Sequence, residues 1–160
     1  MHIDVSVNKQ ILELYNDNNT LIHTYKISTA KNGVGQHYGS FQTPLGKHRI
    51  CEKIGEGQPV NTVFKARVPT GELYSPELAA AYPERDDWIL TRILWLEGLE
   101  EGFNRGGDVD SKERKIYIHA SPPSRPMGQP FSHGCICLHN NDMLELFNLV
   151  NTGIVVTIQK

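Results

Sequence analysis

Apolar and polar residues alternate in short segments along most of the chain. In residues 2 to 7, Ile3, Val5 and Val7 fall on one face and polar side chains fall on the other. A period of two is typical of a strand with one buried face. The hydrophobic pattern predicts further strands at residues 11–15, 21–28, 47–54, 88–96, 116–119 and 154–158.

Turn-forming residues separate these strands. Residues 16 to 19 are Asn-Asp-Asn-Asn, which tolerate left-handed backbone and predict a hairpin turn. Thr43-Pro44-Leu45-Gly46 predicts a second turn, because proline fixes one dihedral angle and glycine frees another. Glycines predict loops at residues 31 to 40 and 98 to 111, and prolines predict a stiff surface loop at residues 121 to 128.

Two helices interrupt the strand pattern. Residues 76 to 81 are helix formers that follow Ser75, begin with a proline and end before Pro83. A second helix is predicted after an asparagine cap at position 140 or 141 and through about residue 150. Residues 55 to 71 are polar and rich in turn formers, with one short apolar piece. Many short strands with one or two short helices predict a mainly β barrel or sandwich, in a single domain spanning residues 1–160.

Length and composition narrow the class of protein. The chain has 160 residues, of which 39% are hydrophobic and 21% charged, as expected of one globular domain with its own core. A formal net charge of −2 with mixed signs gives no basic face for nucleic acid. No apolar run approaches the roughly 18 residues that span a bilayer. We expect a monomer without a cofactor.

The cysteines and the first residues bear on the compartment. Cys51, Cys135 and Cys137 are an odd count, so at least one thiol is free in a monomer and the chain is not a disulfide scaffold. The N-terminal residues begin a strand pattern at once, without the basic, apolar and small-residue parts of a secretory signal. We therefore expect either action in the cytoplasm or a signal outside the given sequence.

The candidate chemistry centres on Ser132-His133-Gly134-Cys135 and on His119 upstream. The span of 16 residues from His119 to Cys135 lets a loop fold back and bring the ring to the sulfur. An adjacent imidazole turns a weakly reactive thiol into a nucleophile, so we predict a Cys/His acyl-transfer site. Backbone N–H groups around His133, Gly134 and Cys135 would bind the oxyanion. The residues alone do not choose between the two rings as the base, and a buried cysteine with two structural histidines is the alternative.

A metal site is a further alternative. His133, Cys135, Cys137 and His139 alternate at a spacing of two, which suits the thiolate and imidazole ligands of zinc or copper. An extended strand would spread them over about 20 Å, against metal–ligand bonds of about 2 Å, so metal binding ranks below catalysis. We predict no metal.

The chain resembles the YkuD-type L,D-transpeptidase catalytic domains, which are bacterial enzymes that cross-link peptidoglycan. The similarity lies in His119, a spacer of twelve residues and Ser132-His133-Gly134-Cys135-Ile136. It extends to Gln42-Thr43-Pro44-Leu45-Gly46 before a strand and to residues 142 to 147 in the helix after the cysteine. The match covers nearly the whole chain. It departs where Cys137 replaces the usual Arg or Asn, and the spacer is slightly short.

This resemblance implies the same fold class and a mechanism. His119 would be the general base, the carbonyl of Ala120 would orient its ring, and His133 would support the substrate pocket. Cys135 would cleave the bond to the terminal D-Ala of a peptidoglycan stem peptide through a thioester and pass the acyl group to an amine. Such a reaction serves cell-wall biogenesis and cell shape, in the periplasm or cell envelope. Carbapenems would acylate the same cysteine.

The departure at Cys137 changes what the site offers to a substrate. A thiol cannot replace a cation or an amide that holds a carboxylate. Arg125 or Arg92 is a candidate for the missing charge, and Arg125 and Tyr117 are predicted to bind substrate. Cys137 is also a candidate redox partner of Cys135 through a labile disulfide. The same residues would also suit an L,D-carboxypeptidase, or a non-catalytic module that binds peptidoglycan.

Overall fold

The computed structural model describes all residues from 1 to 160. Ten strands and two α-helices follow one another as β1 (His2–Ser6), β2 (Ile11–Tyr15), β3 (Leu21–Lys26), β4 (Gly46–Ile54), β5 (Thr62–Lys65), β6 (Val68–Leu73), α1 (Pro76–Ala81), β7 (Leu90–Gly98), β8 (Tyr117–Ala120), β9 (Ile136–Leu138), α2 (Asn140–Leu149) and β10 (Val155–Gln159). One short 3-10 turn, Gly107–Val109, lies between β7 and β8. Strands hold 39% of the residues and helices 12%, so the predicted mainly β class is confirmed.

All ten strands belong to one sheet, which curls into a half-barrel. Hydrogen bonds join the strands in the order β3-β2-β1-β10-β4-β7-β5-β6, and β8 and β9 extend the sheet from β7. Two pairs are parallel, β1 with β10 and β8 with β9. The remaining pairs are antiparallel. Because β1 pairs with β10, strands from the two ends of the chain lie side by side.

The core lies between the sheet and α2. Its largest cluster holds 23 buried residues, which include the inward positions Ile3 and Val5 of β1. From α2, the buried face is formed by Met143, Leu146 and Phe147. Leu144, next to Met143 in the helix, is only half-buried. Neither helix has the length and apolarity that crossing a bilayer requires.

β5 and β6 form a hairpin that the sequence pattern did not predict. Its turn contains Ala66 and Arg67, whose φ angles are 48° and 66°. Left-handed positions in tight hairpin turns are usually taken by glycine, asparagine or aspartate, so these two residues carry no turn signal. The hairpin extends the sheet and presents Arg67 at its tip.

α2 begins without the predicted asparagine cap. The N-cap position is His139, and it makes no side-chain capping hydrogen bond. Asn140 lies inside the helix, where its amide donates to Asn61 at 2.8 Å and its carbonyl accepts the Thr91 hydroxyl. The predicted cap is therefore wrong, because the asparagine side chain joins the helix to neighbouring segments. α1 follows Ser75 and begins with a proline, as predicted, and the Ser75 hydroxyl caps it by accepting a backbone N–H at 3.0 Å.

The short parallel pair β8–β9 fixes the part of the fold that carries the candidate chemistry. Its register places His119 opposite Cys137 and Ala120 opposite Leu138. On its other side, Cys137 exchanges two backbone hydrogen bonds with Ser28, of 2.8 and 2.9 Å. The backbone of Cys137 is thus held by a neighbour on each side.

The packing of α2 on the sheet can be tested at Leu146. This side chain is fully buried, so we expect Leu146→Ala to lower the free energy of unfolding by about 2–5 kcal/mol through lost contacts and a residual cavity. Urea denaturation measures the change. Leu149 on the exposed side of the same helix is the matched control, and Leu149→Ala should cost less than about 1 kcal/mol. Equal losses in the two variants would contradict this packing.

Candidate active site

A cavity of about 340 Å³ opens beside the β8–β9 pair. Six of the side chains predicted for the site line it, namely Tyr117, His119, Arg125, Ser132, His133 and Cys135. Cys137 lines the same cavity. Gly134 and Ala120, the other two predicted residues, contribute backbone groups to the contacts described below.

The turn that presents Cys135 is shaped by the preceding hydroxyl group. Ser132 Oγ donates to the Cys135 carbonyl at 2.6 Å and accepts the Gly134 N–H at 3.2 Å. Gly134 has a φ of 133°, and a Cβ there would lie 3.3 Å from the carbonyl oxygen of Gln42. Both the backbone conformation and the available space therefore favour glycine. The backbone N–H groups of His133 and Cys135 have no protein acceptor.

Thr43 ties this turn to the Thr-Pro-Leu-Gly segment. Its hydroxyl donates to the Gly134 carbonyl at 3.0 Å and accepts the Ala30 N–H at 2.9 Å. The side chain is fully buried, so water does not compete for either bond. A segment 91 residues before the glycine therefore helps to set the shape of the cysteine turn.

The sulfur of Cys135 lies between two backbone groups. It accepts the N–H of Tyr117 at 3.4 Å and donates to the carbonyl of Lys115 at 3.4 Å. Part of the side chain stays exposed. Burial raises the pKa of the Cys135 thiol to about 11, while the Tyr117 N–H and the charge of Arg114 act in the opposite direction. Cys135 is therefore a neutral thiol in the resting site at neutral pH.

His119 is buried on β8, and both of its ring nitrogens have partners. Nδ1 lies 2.7 Å from the Ala120 carbonyl oxygen, and Nε2 lies 3.6 Å from the sulfur of Cys137. Burial lowers the pKa of His119 to about 4, against the opposing effects of the Ala120 carbonyl and of Asp87. The ring is therefore neutral at neutral pH and is able to accept a proton.

The hydrogen bonds of His119 differ from the arrangement that the sequence led us to expect. His119 and Cys135 line the same cavity, yet the hydrogen-bond partner of Nε2 in the ring is the sulfur of Cys137. The strand register is the cause, because it sets Cys137 directly opposite His119 while Cys135 lies just before β9 begins. The Ala120 carbonyl does contact the ring, as the family resemblance implied.

Charged groups from distant segments surround the cavity. His133 Nε2 lies 3.3 Å from a carboxylate oxygen of Asp86, and Arg125 donates to the Asp86 carbonyl at 2.9 Å. From the tip of the β5–β6 hairpin, Arg67 donates to the Tyr117 hydroxyl at 3.1 Å. Arg67 and Asp86 were not predicted from the sequence, since neither belongs to a motif and both are far from the cysteine along the chain.

Arg114 is a third residue near the site that the sequence did not reveal. It donates to the carbonyls of Gly35, Gln36 and Gln42, at 3.2, 3.2 and 2.6 Å. Arg114 thereby holds the glycine-rich loop against the start of β8. Its positive charge also favours the ionised form of Cys135. No sequence signal distinguished this arginine from the other charged residues near it.

Arg92 does not line the cavity. It is buried and donates to the carbonyls of Gln58 and Thr91, at 2.9 and 2.6 Å. These bonds hold its guanidinium group among backbone oxygens. Of the two arginines considered as a substitute for the missing charge, Arg125 alone reaches the cavity.

The alternating histidines and cysteines are not gathered around one point. His139 is the N-cap residue of α2 and does not line the cavity, unlike His133, Cys135 and Cys137. No group of three or more His, Cys, Asp or Glu side chains is arranged to hold a metal ion. All three cysteines are free thiols, so no disulfide joins Cys135 to Cys137.

A β half-barrel with a cysteine turn and a buried histidine in one cavity agrees with the profile of a known family. The profile of YkuD, the L,D-transpeptidase catalytic domain, matches residues 1–158. The chain therefore belongs to the YkuD family of L,D-transpeptidase catalytic domains. No curated protein sequence matches it.

Solved structures of L,D-transpeptidases share the fold. One that was determined in complex with imipenem is 18% identical, with a TM-score of 0.58, and the match covers 98% of this chain and 57% of that one. One from Mycobacterium smegmatis is 19% identical, with a TM-score of 0.56 and coverages of 99% and 58%. An Enterococcus faecium L,D-transpeptidase, solved as a cysteine-to-serine mutant, is 18% identical, with a TM-score of 0.59 and coverages of 99% and 49%. The chain thus spans about half or slightly more of the length of these proteins.

Two buried histidines predict a dependence of stability on acid. Burial lowers the pKa of His119 and of His48, which contacts Ser111 at 2.8 Å, from 6.5 to about 4. The unfolded chain binds protons as the pH falls through 6.5, whereas the folded rings stay neutral until about pH 4. We therefore expect the free energy of unfolding to be highest above pH 6.5 and to fall as the pH decreases towards about 4. The fall should reach up to about 1.4 kcal/mol per pH unit for each ring.

Denaturant titrations at a series of pH values between about 5 and 7 measure this slope. The variant His48→Gln removes one of the two titrating rings, so its slope should be about half that of the original protein. Leu149 on the exposed side of α2 carries no ionisable group, so Leu149→Ala is the control that should leave the slope unchanged. A slope that is the same in all three proteins would contradict the assignment.

Proposed function

We propose that this domain is an L,D-transpeptidase, which transfers acyl groups of peptidoglycan stem peptides through Cys135. The observation that carries the proposal is the Cys135 turn itself. A partly exposed thiol lies in a cavity at the end of a turn whose neighbouring N–H groups have no protein acceptor, and a neutral buried imidazole lies in the same cavity. These are the parts that nucleophilic acyl transfer requires.

The first step is attack by the Cys135 sulfur on the carbonyl of the bond to the terminal D-Ala. The thiol leaves the Lys115 carbonyl and gives its proton to Nε2 of His119, and a bond forms between sulfur and carbon. Nδ1 can serve only as a donor to the Ala120 carbonyl, so Nε2 is the basic nitrogen of the ring. The pKa of about 4 leaves that nitrogen unprotonated at neutral pH.

The oxyanion that forms is stabilised by the cysteine turn. The N–H groups of His133 and Cys135 have no protein acceptor and can donate to the oxyanion. Ser132, Gly134 and Thr43 hold these groups in place through the hydrogen bonds within and behind the turn. Collapse of the intermediate breaks the C–N bond, and the proton on His119 passes to the leaving amine of D-Ala.

The second step resolves the thioester. In transpeptidation an amine of a second stem peptide attacks the thioester carbonyl and loses a proton to His119. The C–S bond then breaks, and the Cys135 thiolate takes that proton back from His119. In L,D-carboxypeptidase activity water takes the place of that amine. We propose the transferase because the matching family is that of L,D-transpeptidases, and cross-linking of this kind serves cell-wall biogenesis in the cell envelope.

Charged residues around the cavity suit a stem peptide, which carries carboxylates and amines. Arg125 and Arg67 present guanidinium groups to the cavity, and Asp86 and Asp87 present carboxylates. In this proposal Arg125 and the Tyr117 hydroxyl bind the donor peptide, as the sequence analysis expected. The His133 ring, paired with Asp86, supports the same wall.

Incubation with tetrapeptide muropeptides followed by mass analysis tests the proposed function. We expect cross-linked dimers and release of D-Ala, and expect Cys135→Ala to abolish both. Tripeptide products without dimers would identify a carboxypeptidase, and binding without any product would favour a non-catalytic module. Cys51 lies on β4 outside the cavity, so Cys51→Ala is the matched thiol control and should keep full activity.

Carbapenem labelling gives a second test that does not need an acceptor. Because a solved relative was determined in complex with imipenem, we expect a carbapenem to acylate Cys135 of this chain. Intact-mass spectrometry should show one adduct on the original protein and on Cys51→Ala, and none on Cys135→Ala. An adduct that persists in Cys135→Ala would remove this sulfur from the proposed mechanism.

A further inference from the structure

Cys137 occupies a place that the acyl-transfer scheme leaves without a role. Its sulfur lies 3.6 Å from Nε2 of His119, and the side chain is only 4% exposed. Its backbone is paired with β8 on one side and with Ser28 on the other. The sulfur is therefore held at a defined position beside the proposed base.

The direction of the hydrogen bond between Cys137 and His119 follows from the other ring nitrogen. Nδ1 faces the Ala120 carbonyl at 2.7 Å, and a carbonyl oxygen can only accept, so Nδ1 carries the ring proton. A neutral imidazole has one N–H, which leaves Nε2 as an acceptor. The S–H group of Cys137 is then the donor.

We propose that Cys137 is a positioning residue for the acyl transfer at Cys135, because its thiol donates a hydrogen bond to His119 Nε2 and holds the ring at its second nitrogen. This inference rests on the proposed function. The Ala120 carbonyl fixes one edge of the ring and the Cys137 thiol fixes the other, so the imidazole has one orientation in the free protein.

A thiol suits this role because it is a weak donor without charge. Its bond to Nε2 orients the ring and can still be exchanged for the proton of Cys135 once a substrate displaces that thiol from the Lys115 carbonyl. A guanidinium group at the same place would bring a positive charge beside the ring and oppose protonation of His119. Cys137 leaves the base free of that repulsion.

Cys137 does not serve as a second nucleophile. It is buried, whereas Cys135 is partly exposed. Burial and the neighbouring Cys135 raise the pKa of the Cys137 thiol far above its ordinary value, so it stays protonated in the resting site. A protonated sulfur that is only 4% exposed can donate a hydrogen bond but presents less surface for attack on a peptide than the partly exposed Cys135.

The rate of Cys135 acylation by a carbapenem, followed as a function of pH, tests this role. We expect Cys137→Ala to lower the second-order rate constant at neutral pH by about tenfold, because the ring loses its fixed orientation. The acid limb of the profile should also move to higher pH, since the neutral ring no longer receives a hydrogen bond. Cys137→Ser keeps a donor and should restore both properties, and Cys51→Ala should change neither. An unaltered rate and acid limb in Cys137→Ala, or no recovery in a folded Cys137→Ser, would overturn the proposal.

The position of the ring proton gives a test that depends neither on turnover nor on a variant that folds. Nitrogen-15 NMR of the original protein at neutral pH should show the His119 proton on Nδ1 and a bare Nε2 that accepts a hydrogen bond. A proton on Nε2 would overturn the role of Cys137 even if acylation proceeds. Conversely, a proton on Nδ1 with no acylation at any pH would support the hydrogen bond while removing the proposed function.

Discussion

The arrangement of the candidate site depends on one short stretch of parallel pairing. β8 and β9 share three paired positions, and the middle pair is His119 with Cys137. Ile118 and Ile136, the pair beside it, are fully buried in the core, so hydrophobic packing holds the same register that the hydrogen bonds define. A shift by one residue would turn the histidine to the opposite face of the sheet. The register therefore decides which sulfur lies next to the ring.

Burial decides the protonation state of the groups that this pairing brings together. Both thiols and the imidazole are neutral at rest, because the surroundings disfavour the charged form of each. Burial therefore favours the neutral thiol and imidazole over a thiolate–imidazolium pair in the resting site. Arg114 is the cation whose charge favours ionised Cys135, and its backbone contacts tie that effect to the glycine-rich loop. In the proposed mechanism, proton transfer therefore takes place when the sulfur bonds to a substrate carbonyl.

Much of the architecture could be predicted from local sequence, because strand alternation and turn residues act over a few positions. The strands near both termini, the hairpin at residues 16 to 19 and the Ser75 cap all follow from such signals. The β5–β6 hairpin could not be predicted, since Ala66 and Arg67 adopt left-handed backbone without the residues that favour it. The asparagine cap failed because Asn140 makes contacts with distant residues rather than with its own helix.

The side chains predicted for the site line one cavity, but the pairing of the histidine with Cys137 was not predicted. The Ser-His-Gly-Cys run and the upstream histidine mark a thiol and a base, and both line one cavity. Which of two cysteines meets the ring depends on the register of strands that lie 18 residues apart, and the loop between them does not fix that register. The fold brings Arg67, Asp86 and Arg114 to the site from distant segments, so no local sequence pattern could predict them.

The sulfur held between the Tyr117 N–H and the Lys115 carbonyl has a consequence for chemoselectivity. A protonated thiol is alkylated slowly, so small electrophiles in solution should react more slowly with Cys135 than with an activated cysteine. Reagents that enter the cavity and develop negative charge at the turn gain an advantage that simple alkylating agents lack. Under the proposed function, we expect this resting geometry to slow nonspecific modification of the sulfur while still allowing acylation by compounds that fit the cavity.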